Sequence, residues 1–166
     1  MKETLRRMQK KRAAGDGGFT LVELLVVVVI IGVLVAIAVP MYLNYRKGAA
    51  NKSAESDVRA AVSAAEQFYT ENGNKYPADV ESTAEGAAID MYLDGAAKTG
   101  VKQTANASPG NKLYFHNFGD GTYRICGQNA DGKTFYTYYS ATGGSVKKSS
   151  KTTLKDCAEE GAAATP

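Results

Sequence analysis

The chain has 166 residues, the length of one ordinary domain, and its 17 glycines and 4 prolines do not mark it as collagen-like or disordered. Its formal charge of +3 is concentrated at the start, where residues 1–18 hold Lys2, Arg6, Arg7, Lys10, Lys11 and Arg12 against Glu3 and Asp16. The other 148 residues carry 14 basic and 15 acidic side chains, so the basic balance is no argument for nucleic-acid binding by the body of the chain.

After the basic head comes an apolar run from Phe19 to Val39. As a helix it is about 31 Å long, enough to cross a bilayer core of ~30 Å. On its far side only Arg46, Lys47, Lys52 and Arg59 follow closely, so the positive-inside rule places the N-terminus in the cytoplasm and residues 41–166 outside. A cleaved secretory signal would have a shorter apolar core, and Ala36-Ile37-Ala38 offers only a weak cleavage site. A plain anchor explains the length but not Glu23. A carboxylate in hydrocarbon costs several kcal/mol and marks function with a partner, although one near the helix start can also snorkel to the interface. From the residues alone these readings stand side by side.

The segment Gly18-Phe19-Thr20-Leu21-Val22-Glu23-Leu24-Leu25 resembles the processing site of the type IV pilin family. The resemblance implies that a prepilin peptidase cuts between Gly18 and Phe19, and that Phe19 is then N-methylated. It implies that Glu23, fifth in the mature chain, aids subunit docking, and that Pro40 is where the N-terminal helix bends or loosens. Tyr42 and Tyr45 also stand where the family commonly has tyrosines. The likeness covers residues 15–72 well and the remainder loosely.

Physical reasoning agrees with it. Cleavage would strip away the leader's basic residues, which hold the helix in the membrane, and would expose an amine at Phe19, one turn from Glu23. In a stack of helices, Glu23 could pair with the Phe19 amine of a neighbour. Such a buried pair adds little net stability, but a misplaced one leaves an expensive bare charge, so it sets register. Gly32 and Pro40 are the weak points of the helix. Pro40 lacks the N–H and costs ~3 kcal/mol in an ordinary helix. It either kinks the helix or ends it, and the helical pattern that resumes afterwards favours the kink.

From Asn51 the pattern is amphipathic, with Val58, Ala61, Val62, Ala65, Phe68 and Tyr69 at spacings of three and four. This stripe predicts a face packed on a sheet, and Asn72-Gly73 predicts the helix stop. Asn74 to Asn111 reads as irregular, with Ile89 to Leu93 tucked onto the sheet. Three strands are predicted at Lys112 to Phe118, Thr122 to Gln128 and Lys133 to Ser140, joined by Gly-containing turns. Tyr114, Phe135, Tyr136, Tyr138 and Tyr139 read as one aromatic cluster serving core and cross-strand pairs, with a carbohydrate or nucleic-acid stacking surface as the alternative. Gly143-Gly144 is expected to break the sheet. Lys147, Lys148, Lys151 and Lys155 then read as a solvated edge, or as a phosphate-backbone contact in DNA uptake.

Cys126 and Cys157 are the only cysteines. An even pair in an exported region reads as one disulfide, clamping the tail to the central strand, with two buried free thiols as the alternative. Gly161 to Pro166 reads as frayed.

These elements predict an α+β, pilin-like fold: a long N-terminal helix whose C-terminal half packs on an antiparallel sheet of three to four strands. The expected divisions are a cleaved leader at 1–18, a transmembrane or filament-core helix at 19–50, and a globular head at 51–166. No cofactor is expected, and no metal either, because Asp120-Gly121 and Asn129-Ala130-Asp131-Gly132 lack calcium-loop spacing. His116, the single histidine, has no adjacent nucleophile to serve, so the chain reads as an enzyme's substrate and not an enzyme.

The resemblance implies a pilus subunit, expected to be a major pilin, serving adhesion, twitching motility or DNA uptake. Its implied partners are prepilin peptidase, an assembly platform with its ATPase, the inner membrane and copies of itself in a filament outside the cell. A pseudopilin of a secretion or competence system is the alternative within that class. A monomeric membrane-anchored binding module is the alternative outside it.

Overall fold

The structure, a computed structural model, describes residues 18–160. The predicted leader up to Gly17 and the tail Gly161–Pro166 lie outside the described residues. The chain divides into two compact units, one ending at Tyr42 and the other beginning at Leu43. They share one element, helix α1 (Leu21–Glu71), 51 residues long. Pro40 lies inside it, so this proline does not end the helix. In the first unit every residue of α1 is exposed.

In the second unit α1 buries Val58, Ala61, Ala65 and Phe68 of the predicted stripe, with Val62 and Tyr69 at its margins, and the buried face extends one turn further back to Ala54 and Asp57. The helix stops where expected. Gly73 turns left-handed at φ 65°, and Asn74 N–H donates to Tyr69 C=O at 3.0 Å, closing the last turn. Asn72 then clasps the next segment: its amide donates to Val101 C=O at 3.0 Å and its carbonyl accepts Val101 N–H at 2.7 Å.

The strands are β1 (Val80–Glu81), β2 (Ile89–Met91), β3 (Gln103–Ala105), β4 (Asn111–Asn117), β5 (Tyr123–Asn129), β6 (Phe135–Tyr139) and β7 (Lys147–Ser149). They form an antiparallel five-stranded sheet in the order β1-β4-β5-β6-β7, with β2 and β3 as a separate pair. The three long strands are those the alternation predicts, shifted by one or two residues. The sheet gains its outer members at places where the sequence carries little strand signal. Gly143-Gly144, expected to break the sheet, instead turn left-handed at φ 58° and 87° and return the chain as β7. On the other side β1 is only two residues, and side chains extend its pairing. Ser82 Oγ accepts Leu113 N–H at 3.0 Å and Asp79 Oδ1 accepts Asn117 N–H at 2.8 Å.

Central strand β5 is covered on both faces. On one, Tyr123 and Ile125 join α1, Leu113, Phe115, Ile89 and Met91 in the main core. Gly127 lets the helix approach: a Cβ there would stand 2.5 Å from Val58 Cγ2 and 3.0 Å from Leu113 Cδ2, so any side chain would force the packed Val58 and Leu113 side chains to shift. On the other face Cys126 packs with Phe135, Cys157 and Ala158 of α2 (Leu154–Ala158).

The predicted single aromatic cluster is therefore two. Strand alternation puts Tyr136 and Tyr138 with the main core, and Tyr114 and Phe135 with the disulfide face.

Polar side chains lock the helix to loop and sheet. Asp57 is buried and accepts Ser108 N–H at 2.6 Å, Ser108 Oγ at 3.0 Å and the Asn111 amide at 2.6 Å. Glu66 accepts the hydroxyls of Tyr123 at 2.6 Å and Tyr76 at 3.3 Å. Burial first, then the Glu66 charge, pushes the Tyr76 phenol up to about 12 and Tyr123 further. Burial and Glu159 likewise push Tyr114 up to about 12. The ordinary phenol value is about 10, so these groups bind protons more tightly folded than unfolded. Their stabilisation is complete below about pH 10 and is lost as pH rises through about 12. We expect alkaline unfolding in that window, with tyrosinate absorbance and helical circular dichroism changing together. Tyrosines that ionise near pH 10 with the helix signal intact would contradict the clasp.

Candidate functional site

The motif residues lie at the start of α1. Gly18 and Phe19 precede the helix and are exposed, Phe19 by 81%. Thr20 caps the helix. Its C=O accepts Leu24 N–H at 3.3 Å, and its hydroxyl accepts Glu23 N–H at 3.2 Å. Glu23 reaches back, and its Oε2 accepts both the Thr20 N–H at 2.8 Å and the Thr20 hydroxyl at 2.9 Å. Together these contacts make a capping box, in which two orphan amides at the helix end are satisfied reciprocally. Thr20 is the capping residue that reading the motif for Gly18, Phe19 and Glu23 passes over, although the spacing Thr-x-x-Glu signals it.

The consequence for Glu23 is specific. Its carboxylate does not stand bare in an apolar surface; one oxygen is held by its own chain. Oε1 has no partner among the described residues, and a carboxylate can accept several donors. The site can therefore take one more cationic or hydrogen-bonding group without breaking the cap.

Around it the helix offers only apolar surface. Phe19, Leu21, Val22 and the Leu, Val, Ile and Met side chains that follow to Leu43 are all exposed. The segment is long and apolar enough to cross a membrane. Burying each such side chain contributes about 1.5–3 kcal/mol, so covering this surface releases tens of kcal/mol on the same scale. Gly32 lies within the exposed run, and a Cβ there would meet nothing within 4 Å. Pro40 is likewise on open helix surface. The structure does not bring Gly32 and Pro40 to the Gly18–Glu23 cluster.

The predicted cysteine pair is a disulfide. Cys126 on β5 and Cys157 on α2 are bonded, both buried, with Cα atoms 6.0 Å apart and a sequence separation of 31. Thr153 caps α2 by accepting Asp156 N–H at 3.0 Å. No group of His, Cys, Asp or Glu able to hold a metal ion occurs among the described residues. His116 Nδ1 lies 2.6 Å from Asp79 Oδ2, a contact that ties β4 to the segment before β1.

Residues 14–39 match the family model described as the prokaryotic N-terminal methylation motif. A fimbrial protein of Pseudomonas aeruginosa is 38% identical over 93 residues, covering 54% of this chain and 60% of that protein. Type II secretion system core protein G of Escherichia coli is 32% identical over 121 residues, covering 70% of this chain and 83% of that protein. Type IV major pilin protein PilE of Neisseria gonorrhoeae is 33% identical over 102 residues, covering 57% and 59%. The chain thus spans only 60% of the length of the fimbrial relative. No solved structure matches the chain.

Closing the loop between the cysteines is worth about 3.5–4 kcal/mol in the chain-entropy description. Replacing both, Cys126→Ser with Cys157→Ser, is expected to lower unfolding stability by about that amount. Guanidinium titration of the detergent-solubilised chain measures it, and an unchanged midpoint would show that α2 is held without the bond.

Proposed function

The chain belongs to the type IV pilin family, and on that premise we propose that it is a structural subunit, the major pilin, of a type IV pilus. The observation that carries this reading is the capped motif Gly18-Phe19-Thr20-x-x-Glu23 opening an exposed apolar helix. In the proposed cycle residues 1–18 are a leader that holds the precursor in the inner membrane, N-terminus cytoplasmic. Prepilin peptidase cuts between Gly18 and Phe19 and methylates Phe19. Residues 19–50 then leave lipid for the filament core, drawn by an assembly platform and its ATPase, and residues 51–166 form the displayed head. The chain is the peptidase's substrate and no catalyst of its own. Adhesion, twitching motility and DNA uptake are the outputs proposed for the filament.

Glu23 supplies register. While Thr20 holds Oε2, Oε1 receives the methylated amine of Phe19 from a neighbour, and subunits packed one step out of place leave that charge unmatched. Gly32 and Pro40 are the positions at which α1 yields during packing, since neither supports the helix as other residues do.

A second reading has one specific observation in its favour: the match spans 83% of the Escherichia coli secretion protein, more than of the fimbrial ones. On that reading the subunit builds a short pseudopilus.

Mass spectrometry of the mature chain tests the shared part, with N-methylated Phe19 expected and an intact Met1 leader overturning it. Electron microscopy of wild-type and deletion strains then separates long surface filaments from a pseudopilus. The variant Glu23→Ala is expected to be processed and retained in the membrane yet to yield no filaments; a normal filament yield would sink the register role.

A further inference from the structure

The two edges of the five-stranded sheet carry unpaired side chains of opposite charge. Beside β1 lies a cavity of about 600 Å³ whose lining includes Asp79, Glu81, Asp90, Tyr92 and Lys98. Two of its acids are engaged: Asp79 by His116 and the Asn117 amide, and Asp90 by Thr104 at 2.7 Å and Lys102 at 3.3 Å. Glu81 is exposed and has no ion-pair partner among the described residues.

At the opposite edge β7 presents Lys147 and Lys148. They lie opposite Thr137 and Tyr136 of β6, one on each face of the sheet. Both are exposed, and neither has a carboxylate partner among the described residues. Their neighbours Lys151 and Lys155 are already paired, with Glu160 and Glu159. Two unmatched ammonium groups thus sit on a short strand at the far end of the sheet, one on each of its faces.

We propose that the β7 edge of one head docks on the carboxylate-lined cavity beside β1 of a second copy. Lys147 or Lys148 meets Glu81 at the cavity mouth. The inference rests on the filament reading above. The contact is heterologous, joining two different patches of the same surface. Repeating such a contact builds an open helical array and not a closed dimer, which is the symmetry a filament of identical subunits requires. Within one subunit the pairing is impossible. The edges are separated by four strand spacings, about 19 Å at ~4.8 Å each, far beyond the reach of a direct ion pair.

That separation makes a zero-length carbodiimide crosslink diagnostic. In isolated filaments a peptide joining Lys147 or Lys148 to Glu81 is expected, and it can form only between copies. Filaments that crosslink elsewhere but never between these edges would overturn the docking.

A charge swap gives the second arm. The double variant Lys147→Glu with Lys148→Glu is expected to cut surface filament yield about tenfold, because like charges then face each other. N-methylation of Phe19 should be unchanged, and adding Glu81→Lys should restore filaments. Normal yield from the double variant, or no recovery with the swap, rejects the docking while wild-type filaments keep the pilus reading intact. A wild-type strain without any filament overturns both.

Discussion

Helix α1 has to satisfy two demands that one helix surface cannot meet at once. To Leu43 it presents large apolar side chains on all sides, a surface stable only when something apolar surrounds it. From Ala54 to Phe68 it presents a narrow stripe of mostly small residues, a surface that needs a closely fitted sheet. The second demand is met inside the chain, by Gly127 yielding its side chain so that Ala54 and Val58 can touch β5. The first cannot be met among the described residues. A membrane and a bundle of identical helices are the two coverings that fit it, and the proposed cycle passes from one to the other.

Against that constraint, Glu23 is less anomalous than its position suggests. An ionised group among valines and leucines is expensive, and so are the free amides at a helix start. The capping box sets these two costs against each other, since the carboxylate accepts the Thr20 amide and the Thr20 hydroxyl accepts the Glu23 amide. A residue that could destabilise the segment thus finishes its end, and it keeps one oxygen in reserve.

Much of this was legible in the sequence, and the reason differs by element. The stripe from Val58 to Phe68 and the three long strands follow from periodicity, because each has one buried face and one open face that the residue order records directly. The edge strands β1 and β7 were not legible. They are two and three residues long, and β1 borrows Ser82 and Asp79 side chains to do what backbone pairing does elsewhere. The aromatic residues were read as one group because sequence neighbours look like spatial neighbours, whereas the pleat sends Phe135 and Tyr136 to opposite faces. The partly buried links of Asp57 to Ser108 and of Glu66 to Tyr123 join residues more than fifty positions apart, and no local pattern announces such partners. Thr20 is different again: its signal was present in the spacing and was hidden by the stronger motif around it.

The cystine joins the middle of the sheet to a terminal helix, so the stretch between Cys126 and Cys157 is a covalent ring. That ring contains β6, β7 and most of α2, and therefore the whole lysine-bearing edge. A single backbone cut anywhere from Gly127 to Asp156 opens the ring but releases nothing: both pieces stay attached through sulfur. The lysine-bearing edge of a head can thus be nicked without being shed.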